Sequence, residues 1–361
     1  MSFDHTHYIP CLRWKQGEYQ AVFRLPRASK RMFTPLIEIP GIGYDFEKGT
    51  KVKTIDEHLA PFAKRVHEKW GRQRCFVDLN LIGSEERMVK GIHPVRFVFD
   101  RLRERMCSAI CVTGLDRNNV YQQEVKNVVT KDKCGICLRI EIEQAAKGSF
   151  KNELDSLLLK LKVKPEDSDL IIDLGAPNFV PLEGFSKAIW AIVSSLPYLN
   201  EMRTFAIVGT SFPQSMAGIK RGVTTIPRHE WQLYKILVSD LRKARLRLPT
   251  FGDYAVSHPE VPELDWRFVK PKVKIRYTIS GMWCVAKGKN YRDYGLAQYH
   301  ELSKQILNSN HFHGSSFSWG DQYIEECANG GRTGNLPMWV QVDTNHHIVK
   351  VLEDIANFYA S

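Results

Sequence analysis

No stretch of these 361 residues stays apolar for the roughly 18 positions that a membrane-spanning helix needs. The opening residues, Met1 to His5, carry no basic region leading into an apolar one, so no secretory signal is read there and a cytoplasmic protein is expected. Eight cysteines are too few for a disulfide scaffold in a chain of this length. Two pairs, Cys107-x3-Cys111 and Cys134-x2-Cys137, come near the spacing of a metal knuckle. Their neighbours Ile110, Val112, Ile136 and Leu138 read as apolar strand rather than curling loop, so core cysteines are expected. Also missing are G-x-G-x-x-G after the first strand, a Walker loop, a nucleophile elbow, H-E-x-x-H, and H-x-E with paired cysteines. These absences remove the nucleotide-fold fingerprints and weigh against a ready-made enzyme. There is no internal repeat or low-complexity tract, and charged residues at 25% describe a globular chain rather than a disordered one.

What the sequence does have is rhythm. Short apolar runs lie at 8–12, 35–39, 75–79, 109–113, 135–140, 170–174, 205–209 and 250–254. Amphipathic stretches separate them at 54–70, 85–106, 119–131, 150–162, 183–199 and 227–247; Phe185, Ile189, Ile192 and Val193, for instance, fall on one helix face. Near-continuous apolar strands alternating with helices imply a parallel sheet covered on both sides. Eight of them imply an α/β fold, a TIM-like (β/α)8 barrel, with an open doubly wound sheet as the alternative. Past the eighth strand, 274–278 and 282–286 flank Ile279-Ser280-Gly281 as a β-hairpin. Helices are expected at 291–308 and 345–359, with a polar, glycine-rich segment over 311–337. The division is therefore 1–265 as barrel and 266–361 as an appended hairpin and C-terminal helices, one elaborated unit rather than two independent domains.

Four strands end on an acid, placing Glu38, Asp78, Glu141 and Asp173 near the C-terminal end of the barrel, where barrel sites are built. Arg139 shares the face of Glu141 by period-2 alternation, and Asp253 ends the eighth strand. Converging carboxylates repel and require a compensating cation: a divalent metal, Arg139, or a lysine such as Lys15. Two readings stand side by side. One is a metal-assisted or acid–base site for hydrolysis of a phosphodiester or nucleotide. The other is a satisfied salt-bridge layer held by Arg139. Trp319, on a glycine-flanked loop, could stack a ligand or pin the loop to the body. His346 and His347 point about 100° apart on a helix, so they are poorly placed to hold one ion together. Asn345 is expected to cap that helix, with one histidine packed on the barrel.

Net charge is +11, and residues 216–292 hold +10 of it, with sixteen Lys/Arg against six Asp/Glu. The basic set includes Arg242, Lys243 and Arg245, then Arg267, Lys270, Lys272, Lys274 and Arg276, then Lys287 and Lys289, with Tyr277 interleaved. Strand alternation puts Lys270, Lys272, Lys274 and Arg276 on one face. Such a face fits a nucleic-acid backbone or an acidic protein partner; the bland reading is a solvated edge strand protected by its lysines.

Tyr8-Ile9-Pro10 with Lys15 and Gly17-Glu18, Pro35-Leu36-Ile37-Glu38, and Arg228-His229-Glu230-Trp231 with Leu233-Tyr234 resemble the Beta protein family. So do Gly252-Asp253-Tyr254, Arg276-Tyr277-Thr278, Gly334-Asn335 with Trp339, and Asn345-His346-His347. The family is named after the beta protein of a satellite coliphage. The resemblance implies association with mobile elements and anti-phage defence, in a toxin–antitoxin-like arrangement with a protein partner encoded in the same locus. It brings no catalytic residues with it, and it favours a partner-dependent role over a metabolic enzyme.

Overall fold

The eight expected strands form β1 (Tyr8–Arg13), β2 (Leu36–Glu38), β3 (Cys75–Asp78), β4 (Ala109–Thr113), β5 (Ile136–Glu141), β6 (Ser168–Asp173), β7 (Thr204–Val208) and β8 (Thr250–Asp253). In this computed structural model, which describes residues 3–260 and 268–360, they close in chain order into a parallel barrel, with β8 returning to β1. The fold is the TIM-like barrel that the alternation implies, and the open-sheet alternative falls. Strand parity builds two apolar layers. Ile9, Cys11, Leu36, Phe76, Ile110, Val112, Cys137, Ile171, Ala206 and Val208 fill the interior. The residues between them, such as Leu12, Ile37, Val77, Leu138 and Ile172, pack outward under the helices. Closure demands a glycine at one point, because a Cβ on Gly252 would lie 2.5 Å from Val208 Cγ2 and 2.8 Å from the Ile9 carbonyl oxygen. Cys137 in the barrel interior and Cys111 beneath the helices are buried as expected, whereas Cys107 is half-buried and Cys134 exposed. Among the described residues no three His, Cys, Asp or Glu side chains group to hold a metal ion.

The connecting helices include Pro94–Glu104, Asn119–Asp132, Phe150–Leu161, Leu182–Ser194 and His229–Lys243, inside or close to the expected stretches. The helix Gln16–Arg24, between β1 and β2, is one the periodicity missed: its mean hydropathy is low, and its buried side is small. That side holds Gly17, where a Cβ would sit 2.6 Å from Val340 Cβ on the C-terminal helix. Glycine here lets the two helices touch. Beside it Glu18 is buried, accepting from the Lys15 amide at 3.4 Å and the Ser257 hydroxyl at 3.2 Å. Burial pushes its carboxyl up to about 7, against the pull of those bonds and of Lys15 and Arg13. The folded state therefore holds this proton more tightly than the unfolded chain does. Stability should fall by about 1.4 kcal/mol per pH unit from this group as pH rises from the ordinary glutamate range towards 7. Glu18→Gln is expected to flatten that slope in urea melts taken between pH 4.5 and 8; an unchanged slope would show that Glu18 ionises normally.

Beyond the barrel, β9 (Lys272–Ile279) and β10 (Met282–Asn290) form the expected hairpin, turning at Gly281 with φ +70°. A third strand, Gly222–Pro227, joins the far side of β10; its adjacent threonines, Thr224 and Thr225, and lack of an apolar run hid it. The polar segment over 311–337 contains a helix, Trp319–Ala328, capped by the Ser318 hydroxyl. The last helix is Leu336–Ala360, 25 residues long, and so Asn345 is mid-helix and caps nothing. Its amide instead donates to the Ala21 carbonyl and its oxygen accepts from the Gly320 amide. This helix packs between Gln16–Arg24 and the hairpin sheet, burying Asp343, Thr344, Asn345, His346 and His347 together. The expected 265/266 boundary and Arg267 lie outside the described residues. No described helix is long and apolar enough to cross a membrane.

Candidate functional site

The charged layer capping the barrel interior is centred on Arg139. Its Nε donates to Asp173 at 2.8 Å, Nη1 to Glu38 at 2.7 Å and to Asp78 at 2.9 Å, and Nη2 to the Tyr254 hydroxyl at 2.8 Å. Tyr254 in turn donates to Asp173 at 2.6 Å. Arg13 stands 3.6 Å from Glu38 and Arg117 3.5 Å from Asp78, so three arginines face three carboxylates. The parity that fills the interior also selects this layer: Arg13, Glu38, Asp78, Arg139, Asp173 and Tyr254 all continue inward-facing rows. Burial alone would favour loss of the Arg139 proton. Tyr254, Asp173, Glu38 and Asp78 outweigh it and hold the guanidinium charged. Burial, with Asp173 beside it, raises the Tyr254 hydroxyl well above its ordinary range, which keeps it a donor.

This layer floors a cavity of about 470 Å³ at the C-terminal end of the barrel. Its rim is acidic: Asp116, Glu141, Glu143 and Glu260 line it. Asp116 pairs with Arg117, whereas the Glu141 side chain is exposed and uncommitted apart from capping the helix Ile142–Ala145. Glu38, Asp78 and Asp173 are thus brought together with Arg139, and Glu141 stands above them. The oxygens that would serve a divalent cation are engaged by guanidinium, and so the salt-bridge reading describes the floor. Arg13, Arg117 and Tyr254 were not singled out from the sequence. Parity with Glu38 and Gly252 was the signal for the first and last; Arg117 sits on a loop and had none. Lys15 is not the compensating cation.

Asp253 does not belong to this layer. One residue off the inward parity, it points outward to the last helix. Its carboxylate accepts from Tyr8 at 2.5 Å, the Ala255 amide at 2.9 Å and His347 Nε2 at 2.9 Å. His347 also meets the Thr278 hydroxyl through Nδ1 at 2.8 Å and stacks on Trp283 at 4.9 Å. Its neighbour faces the other way, as the 100° step requires. His346 lies between Asp321, at 2.8 Å, and the Thr278 carbonyl, at 2.8 Å, stacked 3.9 Å from Tyr277. His347 is thus a clasp between barrel and appended sheet, while His346 ties that sheet to the helix Trp319–Ala328. Trp319 opens the helix Trp319–Ala328 rather than sitting on a loop, and it is half-buried under the Arg24 guanidinium, 5.1 Å away, instead of offering a free ring.

The basic face is corrected in part. Lys272, Lys274 and Arg276 alternate on β9 as expected, with Lys270 ahead of the strand, but the face they share turns towards the barrel, so burial deepens along it. Lys270 and Lys272 are exposed, Lys274 is half-buried, and Arg276 is buried, donating to Asp343 at 2.7 Å and the Val256 carbonyl at 2.8 Å. Tyr277 is buried on the opposite face, donating to Asp321 at 2.6 Å. Lys287 is buried too, its ammonium held by the Met216 and Ile219 carbonyls. Arg242, Lys243 and Arg245 are exposed, but at the far end of His229–Lys243, a helix ~22 Å long by its residue count. The start of that helix meets the hairpin turn, where the Arg228 amide donates to Gly281 at 2.9 Å. Lys272 and Lys289 lie at the other end of the hairpin, so the two basic groups are separate patches.

The molecule is therefore a (β/α)8 barrel with an ion-paired mouth and an appended sheet locked on by a buried polar helix. Within that class, the family model for the Beta protein matches residues 8–353, and the chain belongs to the Beta protein family. Several of the residues that carried the resemblance, Tyr8, Asp253, Thr278, His346 and His347 among them, meet at this junction. No curated protein matches the chain in sequence. Among solved structures, a trimodular GH5_4 subfamily endoglucanase matches at 9% identity with a TM-score of 0.36, covering 71% of this chain and 58% of that one. A likeness that low carries no argument about activity.

Proposed function

We infer that the protein is a binding component of an anti-phage, toxin–antitoxin-like defence system, which docks an anionic partner on the open end of its three-stranded sheet. The observation that carries this reading is the cluster at that end. Gly222, Lys287 and Lys274 stand side by side across the three strands, with Lys220, Arg221, Lys272 and Lys289 exposed around them. Burial, together with Arg276 and Lys287 and against the pull of Asp343, pushes the Lys274 ammonium down to about 8. An anion would relieve that repulsion. The partner favoured here is a nucleic-acid backbone, and an acidic protein face presents the same charge.

Charge reversal at Lys272 and Lys289 tests it with mixed-sequence duplex DNA or RNA in an anisotropy titration. The double variant should lower the slope of log affinity against log salt by ~1.8, for two lost phosphate contacts. Parent affinity should also fall as pH rises through about 8, where Lys274 loses its charge. Capture of an acidic protein, abolished by the same variant, would assign the surface to a protein partner. Binding of neither class overturns the reading.

A second reading, hydrolysis of a phosphodiester or nucleotide at the barrel mouth, is favoured by one observation: Glu141 and Glu143 are rim carboxylates over an open cavity at the end where barrel enzymes work. Glu141→Gln should leave stability within about 0.5 kcal/mol, as for other exposed positions. Loss of protection against phage in that variant would favour catalysis; unchanged protection removes it.

A further inference from the structure

A second cavity opens beside the first at the same end of the barrel, and its chemistry is opposite. The segment after β2 is the wall between them: Glu38 faces the acidic cavity, while Ile39, Pro40 and Gly41 line the other. This second cavity, about 390 Å³, is roofed by the residues around the ribbon Tyr44–Asp45 and Thr50–Lys51, with Gly43, Val52 and Lys53 in its lining. Its cations are Lys15, Lys53 and Arg65, and its rings are Trp14, Tyr19 and Phe62; no carboxylate lines it. None of the three cations makes an ion pair within 4 Å among the described residues. Arg65 lies instead over the Tyr19 ring, 5.7 Å from its centroid. No ion pair neutralises this charge: burial lowers the Lys53 ammonium and Arg65 lowers it further against the pull of Glu57, while Lys15 acts on the buried Glu18.

Two buried polar atoms in the lining lack a partner. Trp14 lines this cavity and is 4% exposed, and its indole N–H, buried beneath the surface, donates to nothing. His58 gives Nε2 to the Pro40 carbonyl at 2.6 Å, which leaves Nδ1 unpaired. Burial, with Lys53 and Arg65 near, lowers the His58 ring below its ordinary value in spite of that bond, so Nδ1 is a free acceptor at neutral pH. An unpartnered buried donor in a native protein calls for an occupant, since it costs the desolvation of the group. The cavity therefore offers aromatic faces, one buried donor, one buried acceptor and three unpaired cations. A planar heterocycle with hydrogen-bonding edges, joined to a phosphate, satisfies all four at once.

We propose that this cavity is a mononucleotide site, in which Lys15, Lys53 and Arg65 hold the phosphate and Trp14 and His58 meet the base. The site is independent of the sheet-end surface and uses none of its residues. Its presence at the mouth of the barrel makes a small-molecule signal, rather than a macromolecule, its natural occupant.

Calorimetric titration of the full-length protein with AMP, GMP, CMP and UMP, alongside inorganic phosphate and adenosine, tests the proposal. At least one mononucleotide should bind at least tenfold more tightly than phosphate or adenosine alone. Lys53→Ala and Arg65→Ala, both outside the packed core, should each weaken it by about tenfold or more, as expected for a lost charge-assisted contact. Trp14→Phe, which keeps an aromatic ring but removes the N–H together with part of the indole, should weaken nucleotide without changing phosphate. The Lys272 and Lys289 reversal should bind nucleotide as the parent does, which separates this site from the one proposed above. Absence of binding by all four nucleotides at millimolar concentration overturns the proposal. So does binding that survives the Lys53 and Arg65 substitutions, or phosphate binding as tight as nucleotide.

Discussion

Arg139→Met is expected to destabilise the protein by about 3–5 kcal/mol or more, the scale on which removal of one partner strands buried charge. The guanidinium serves Glu38, Asp78 and Asp173 at once, and all three side chains are at most 8% exposed. Methionine fills much of the volume, so the loss is electrostatic rather than a cavity. Arg13 approaches only Glu38, and Arg117 reaches only Asp78 of the three while pairing with Asp116, so neither can take over. Lysine at 139 should recover only part of the loss, because a single ammonium lacks the planar fork that reaches several acceptors. The measurement is the urea midpoint of parent and variants. Two further arms identify the cause. Adding Glu38→Gln, Asp78→Asn and Asp173→Asn to Arg139→Met should restore much of the loss. The gap between Arg139→Met and the parent should also narrow as pH is lowered into the carboxylate range, where protonation removes the stranded charge. A single variant that melts with the parent would mean that the layer is solvated and that the mouth is free to do acid–base chemistry.

The second large effect is expected at the clasp. His347→Ala removes a buried ring stacked on Trp283, a bond to Asp253 and a bond to Thr278. The cavity and the orphaned carboxylate together place the cost at about 3–5 kcal/mol. His311→Ala, at an exposed position, should cost less than about 0.5 kcal/mol. The pH dependence has a definite sign. Burial would raise the Asp253 carboxyl, but His347, Arg228 and the Tyr8 hydroxyl outweigh it and hold it below its ordinary value. A carboxylate lowered in the folded state contributes stability that is present above the unfolded value and lost as pH falls through the folded one. His347→Ala removes the largest of those favourable influences, so the difference between parent and variant should shrink in acid. Equal denaturation profiles for His347→Ala and His311→Ala would show that the clasp is not what joins the sheet to the barrel.

The two sites differ in how far they could be read in advance. Glu38, Asp78, Arg139 and Asp173 share both a strand end and a parity, and each property is local: the period-2 row of a strand fixes which side chains enter the barrel. Asp253 shares the strand end but not the parity, and a reading by position alone placed it in the wrong layer. The basic strand failed for a different reason. Alternation put Lys272, Lys274 and Arg276 on one face correctly, with Lys270 left outside the strand, but nothing local says which face another element covers. Only the placement of the sheet against the barrel buried Arg276 and Lys287 while leaving Lys272 exposed.

The second cavity could not be read at all. Its residues come from the end of β1, the helix after it, the loop after β2, the small ribbon and the helix Phe62–Lys69, and no single segment carries a motif. By itself the sequence determined the barrel, because eight buried parallel strands impose an apolar run of their own length at each pass of the chain. It also determined the charged layer at the mouth, through parity. What the tertiary structure alone decided is which charges meet: that one arginine bridges three acids, that two adjacent histidines serve different bodies, and that three cations without an ion pair share a wall with three aromatic rings. Such pairings depend on distances between segments tens to hundreds of residues apart, which chain packing sets and local pattern does not encode.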